Sequence, residues 1–109
     1  MTTAVMTGPD EEGLGEALEA EGVAVTAIDG VANRPALEEA GIVDADLFVL
    51  TDPRAATAIV VAKDLNPDLR VVVYAHGSLP EFASAQAALV VDPDLLGPDV
   101  VAEELAAQS

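Results

Sequence analysis

The residues best placed to do chemistry lie in the loop Gly8-Pro9-Asp10-Glu11-Glu12-Gly13, which follows the apolar run "TAVMT". Glycines spaced this way after a strand let backbone amides approach a pyrophosphate at a helix N-terminus, as a dinucleotide-binding turn requires. Gly8 and Gly13 supply the outer glycines of such a turn, and Asp10 stands in place of the middle one. Pro9 removes an amide donor, and the carboxylates of Asp10, Glu11 and Glu12 oppose a pyrophosphate's charge unless a cation sits between them.

Other candidates follow later strands. Asp29 ends the second apolar run, about 20 residues beyond the loop, where an acid can bond a ribose hydroxyl; a plain turn residue is the alternative. Thr51 ends the third run and His76 follows the fourth. Arg34 and Arg54 are two of only four basic residues, and could hold an anion or pair with neighbouring acids. With one His, no Cys and no Ser in a strained elbow, no base–nucleophile pair assembles and zinc ligands are few. The expectation is a protein without catalytic residues or a metal centre.

Charge constrains partners. Twenty acids against four bases give a net charge of −16, so nucleic-acid phosphates and anionic membranes repel the chain. The acids are spread over every expected helix, which fits a solvated surface suited to molar salt; an acidic docking face is the other reading. Hydrophobic residues make up 51% and aromatic ones 3%, so the core must be built from Val, Ala, Leu and Ile. No apolar run approaches the ~20 residues of a membrane span, and no basic-then-apolar leader is visible. A cytoplasmic protein of one domain, residues 1–109, is expected.

Short β-branched runs at 3–7, 23–28, 46–51, 70–75 and 88–91 alternate with amphipathic stretches. Most are apolar on both faces, as strands covered by helices on each side must be. Leu14, Ala17 and Leu18 mark the inner stripe of the first helix. Pro35 begins a short second one, and Asn66-Pro67 ends the third. Ser78 and Glu81 have capping-box spacing for a fourth helix, and Pro98 opens the last. Asp52-Pro53 and Asp92-Pro93 read as Asp N-caps with Pro at the first helical position, or as catalytic carboxylates. Five strand–helix pairs predict a three-layer, doubly wound α/β sandwich with a parallel sheet.

The run "GVANRPALEEAGIVDADLFVLTD" (30–52) resembles the nucleotide-binding Rossmann domain of potassium-conductance regulators, the RCK or KTN (TrkA-N-like) domain. The likeness extends through "AATAIVVAKDLNPDLRVVVYAHGS" and "AALVVDPDLLGPDVVAEEL", and small haloarchaeal proteins look similar end to end. The resemblance implies a regulatory nucleotide-binding module, with NAD or an adenine nucleotide as ligand, that pairs as a homodimer. Asp29 then matches the family's ribose-binding acid, Val31 replaces its adenine-side Asp, and His76 falls where a phosphate-facing Arg is common. One strand–helix unit of that family is absent after Asp29. Losing an edge strand turns the order 3-2-1-4-5-6 into 2-1-3-4-5, the Rossmann-like sheet in its flavodoxin-like form. The expected ligand-binding set is Gly8, Asp10, Gly13, Asp29, Arg34, Thr51 and His76.

Two other readings compete. One is a protein-interaction or scaffold domain with a decayed nucleotide site. The other starts from the same strand order, which resembles that of response-regulator receivers, whose acidic pair after the first strand binds Mg²⁺ and whose phosphoacceptor Asp ends the third. Asp10 and Glu11 match the pair. Thr51, however, occupies the acceptor position with Asp52 one step late, Ala75-His76 occupies the switch-hydroxyl region, and Val91-Asp92 replaces the lysine that ends the fifth strand. The likeness therefore implies an acidic Mg²⁺ pocket without a working phosphorylation site.

Overall fold

A computed structural model describes residues 1–76 and 87–107. Their strands are β1 (Thr3–Thr7), β2 (Ala24–Ile28), β3 (Leu47–Leu50), β4 (Arg70–Tyr74) and β5 (Leu89–Val91). The helices are α1 (Leu14–Ala20), α2 (Arg34–Glu39), α3 (Thr57–Leu65) and α4 (Pro98–Ala107), with 3₁₀ turns at Ile42–Asp44 and Pro53–Ala55. Every strand pair is parallel, and the sheet order is β2-β1-β3-β4-β5. This is the flavodoxin-like order expected from the sequence.

Two apolar clusters explain why these segments are strands. Val5, Phe48, Leu50, Val71 and Val73 pack on one side with Leu37, Ile59 and Ala62 of α2 and α3. Their alternating neighbours Ala4, Met6, Leu47, Val49, Val72 and Tyr74 pack on the other with Leu14, Leu18, Val101 and Leu105 of α1 and α4. The period of two sends successive residues to opposite layers, so β3 is buried at all four positions. Edge strand β2 is only half-covered, with Thr26 and Ala27 exposed.

Local chemistry shifts several boundaries. The first helix starts at Leu14, because Asp10 to Gly13 close a turn (Gly13 N donates to the Asp10 carbonyl at 3.2 Å) and Gly13 takes φ 77°. Asn33 caps α2 by accepting from Ala36 N at 3.1 Å. Asp52 caps the 3₁₀ turn that precedes α3, accepting from Arg54 N at 2.9 Å. Asp92 starts no helix: it opens a turn in which Leu95 and Leu96 N donate to its carbonyl, and α4 begins only at Pro98. The Ser78–Glu81 capping box and its helix lie outside the described residues. Among the described residues, no helix is long and apolar enough to cross a membrane.

Candidate functional site at the carboxyl edge of the sheet

Parallel strands deliver the loops after β1, β3, β4 and β5 to one edge of the sheet. Gly8 leaves β1 with φ 102°, and a Cβ there would lie 2.5 Å from Thr51 Oγ1. Only glycine combines that backbone angle with that approach. Thr51 N and Oγ1 both donate to the Thr7 carbonyl, at 3.1 and 3.3 Å, so the ends of β1 and β3 are locked together. Thr51 is thus committed to a structural bond.

Asp10 is committed as well. Its Oδ1 accepts from Leu14 N at 2.8 Å and its Oδ2 from Gly15 N at 3.0 Å. These are first-turn amides that a helix leaves unpaired, the groups a phosphate would otherwise take. The carboxylate in the middle-glycine position thus serves as the anion for its own helix.

Asp52 and Arg54 form a side-chain pair, with Arg54 Nη2 to Asp52 Oδ2 at 2.9 Å. Hydrogen bonds from the Arg54 side chain, then its backbone N–H, hold the Asp52 carboxyl below its ordinary range. A lowered acid pKa adds stability above about pH 4 and gives it up as pH falls through the folded value. The Arg54 side chain is 90% exposed, so solvent screens the pair and its contribution is small.

The predicted ligand residues divide into separate places. Asp10, Thr51 and His76 line one small depression with Pro9, Glu11 and Glu12. Gly8 lines a cleft of about 370 Å³ between the ends of β1 and β3, with Val31, Asp52 and Arg54. Asp29 lines another of about 350 Å³ beside α2, with Ala36 and Glu39. Arg34 is turned to Asp64, at 2.9 Å. Gly13 shapes the turn before α1.

His76 is the surprise. Its Nδ1 is 3.3 Å from Asp92 Oδ1 and 3.3 Å from Asp94 Oδ2, while its Nε2 is 3.9 Å from Glu12 Oε1. Sequence reasoning found His76 but neither Asp94 nor Glu12 as its neighbours. The strand order held the signal: with β4 and β5 adjacent, Tyr74↔Val91 register puts Asp-Pro-Asp 92–94 beside His76. Tyr74, just below, donates its hydroxyl to the Leu96 carbonyl at 2.8 Å, fastening β4 to the turn after β5. Burial, then the charge of Glu12, raises the Tyr74 pKa, which keeps this donor protonated.

Comparison with known proteins decides the family. A family of unknown function, DUF7126, matches residues 4–105. The chain belongs to it. No protein of curated function matches the sequence. Among solved structures, this DUF7126 chain is similar to an orphan response regulator of H. pylori, with TM-score 0.72 and 14% identity over 98% of this chain and 95% of that one. A pilus assembly candidate (CpaE) from Burkholderia thailandensis gives TM-score 0.70 and 18% identity, covering 100% of both chains. A response regulator protein from Burkholderia pseudomallei, solved with a phosphorylated aspartic acid, calcium ion and citrate, gives 0.63 and 20%, covering 99% of this chain and 72% of that one. The fold is therefore receiver-like.

These findings correct the resemblance to RCK/KTN domains and the nucleotide-binding role it implied. The family match is DUF7126 and the structural neighbours are response-regulator and pilus-assembly chains. The physical reason for the false likeness is general. A short helix with buried Leu37 followed by a fully buried "LFVL" strand is what any α2–β3 unit of such a sheet requires.

Proposed function

We propose that this chain is a receiver-like regulatory domain that acts through protein contacts in the cytoplasm, without an aspartyl-phosphate step. The observation that carries the reading is the commitment of Asp10: both of its carboxylate oxygens accept amides of α1. The positions that would complete phosphoryl chemistry support it. Thr51 stands at the end of β3 with its hydroxyl on the Thr7 carbonyl, Asp52 is tied to Arg54, and Ala75 and Asp92 follow β4 and β5. A phosphoryl group entering here would meet Glu11, Glu12, Asp92 and Asp94 with no lysine to offset its charge. A second copy of the chain is one partner this reading accommodates.

Incubation with acetyl phosphate and Mg²⁺ in molar KCl, followed by intact-mass analysis, tests the proposal. The expected result is unmodified protein under conditions that fully label a competent receiver. A phosphoryl adduct on Asp52 or Asp10, lost in the corresponding Asn variant, overturns it.

A further inference from the structure

We infer that His76, Asp92 and Asp94 form a binding site for one divalent transition-metal ion, with Zn²⁺ as the reference ion. The three donor atoms lie within 4.8 Å of one another. Nδ1 is 3.3 Å from each carboxylate oxygen. Charge-assisted N–H···O bonds are shorter, about 2.7–2.9 Å, so neither contact is a tight hydrogen bond. Two ligands of tetrahedral zinc at about 2.0–2.1 Å from the ion are roughly 3.3–3.4 Å apart, which matches the separation here.

The donor types point the same way. One imidazole and two carboxylates suit zinc and its first-row neighbours, whereas Mg²⁺ favours an all-oxygen octahedron. A separate loop adds an independent feature. Glu12, between β1 and α1, puts Oε1 3.9 Å from Nε2, the ring nitrogen facing away from the two aspartates. Metal-bound imidazoles characteristically carry a carboxylate partner on that nitrogen, which fixes the tautomer and strengthens the ligand. Asp92, Asp94 and Glu12 enter the phosphorylation argument only as uncompensated charge, and zinc binding is read by a different measurement from phosphoryl transfer, so the two stand or fall separately.

In a chain of net charge −16, carboxylates also gather cations diffusely, and the test must separate the two. ZnCl₂ is titrated calorimetrically into the full chain in molar KCl, alongside His76→Gln, Asp94→Asn, Glu12→Gln and the distant exposed control Glu38→Gln. The expected result is one saturable site, lost in His76→Gln and Asp94→Asn, weakened about tenfold in Glu12→Gln and unchanged in Glu38→Gln. Asp94 has a 79% exposed side chain, so its substitution leaves the fold intact, and circular dichroism verifies each variant. Absence of binding, or several weak sites indifferent to His76 and Asp94, overturns the inference.

Discussion

Asn66→Ala is expected to destabilise the protein by about 2–3 kcal/mol, because two buried side-chain hydrogen bonds are lost and the Ile42 carbonyl keeps only the Ala45 amide, at 3.2 Å. Asn66 follows α3 and is buried; its Nδ2 donates to the Ile42 carbonyl at 3.0 Å and to the Ala45 carbonyl at 2.9 Å. Its Oδ1 accepts from Asp68 N at 3.2 Å. One side chain thus ties the end of α3 to the 3₁₀ turn that leads into β3. No water reaches those carbonyls easily once the amide is gone, because Ile42 and Ala45 are themselves buried. Asn66→Asp separates this cause from lost packing. It keeps the shape but turns the donor into an acceptor facing two carbonyl oxygens, so it should destabilise at neutral pH at least as much as Ala. Urea melts of the three proteins measure this, and an Asp variant as stable as wild type sinks the explanation.

Phe48→Ala should cost more, about 3–5 kcal/mol. Phe48 is fully buried in the middle of β3, among Val5, Leu50, Ile59, Val71 and Val73. Aromatic residues are only 3% of the chain, so small side chains fill most of the core and none can swing into a phenyl-sized void. A domain of this size is stable by roughly 5–15 kcal/mol, and the loss takes a large share of it. The thermal midpoint should fall by more than ~10 °C, while Phe48→Leu, which preserves more volume, should lose much less. Equal losses for Ala and Leu would show that the site does not behave as a close-packed core.

The fold was legible because packing imposes periods on the sequence. Short runs apolar on both faces and bounded by turn residues, such as "LFVL", fit central parallel strands, and Leu14, Ala17 and Leu18 mark a helix that buries one stripe. The sheet order β2-β1-β3-β4-β5 is as expected, although the comparison with RCK/KTN domains that suggested it is not supported. Boundaries near the edge were less legible, because side chains compete with the helix there. Asp10 takes two amides of α1, and Asp92 closes a turn where an N-cap was expected. Asn66 read only as a helix stop, since its carbonyl partners lie 21 and 24 residues away in sequence.

The site was legible in part. His76 and Thr51 stood out by position, but their roles depend on which strand ends become neighbours. The glycines of the acidic loop match a dinucleotide turn. Its acids prove more telling, because one of them fills the place an outside anion would need. Charge alone could not show this, since a solvated carboxylate and a helix-capping carboxylate look the same in sequence.

The most direct test of the account is the amide NMR spectrum of the isotopically labelled chain in molar KCl, titrated with Mg²⁺ and beryllofluoride, a mimic of the aspartyl phosphoryl group. A domain whose edge acids already serve its own helix and arginine should show no saturable, beryllofluoride-dependent shifts at Asp10, Thr51, Asp52 or Ala75. Saturable shifts centred on those residues and propagating to Tyr74 and the β5–α4 turn, abolished by Asp52→Asn, would contradict the central claim and restore a working phosphoryl site.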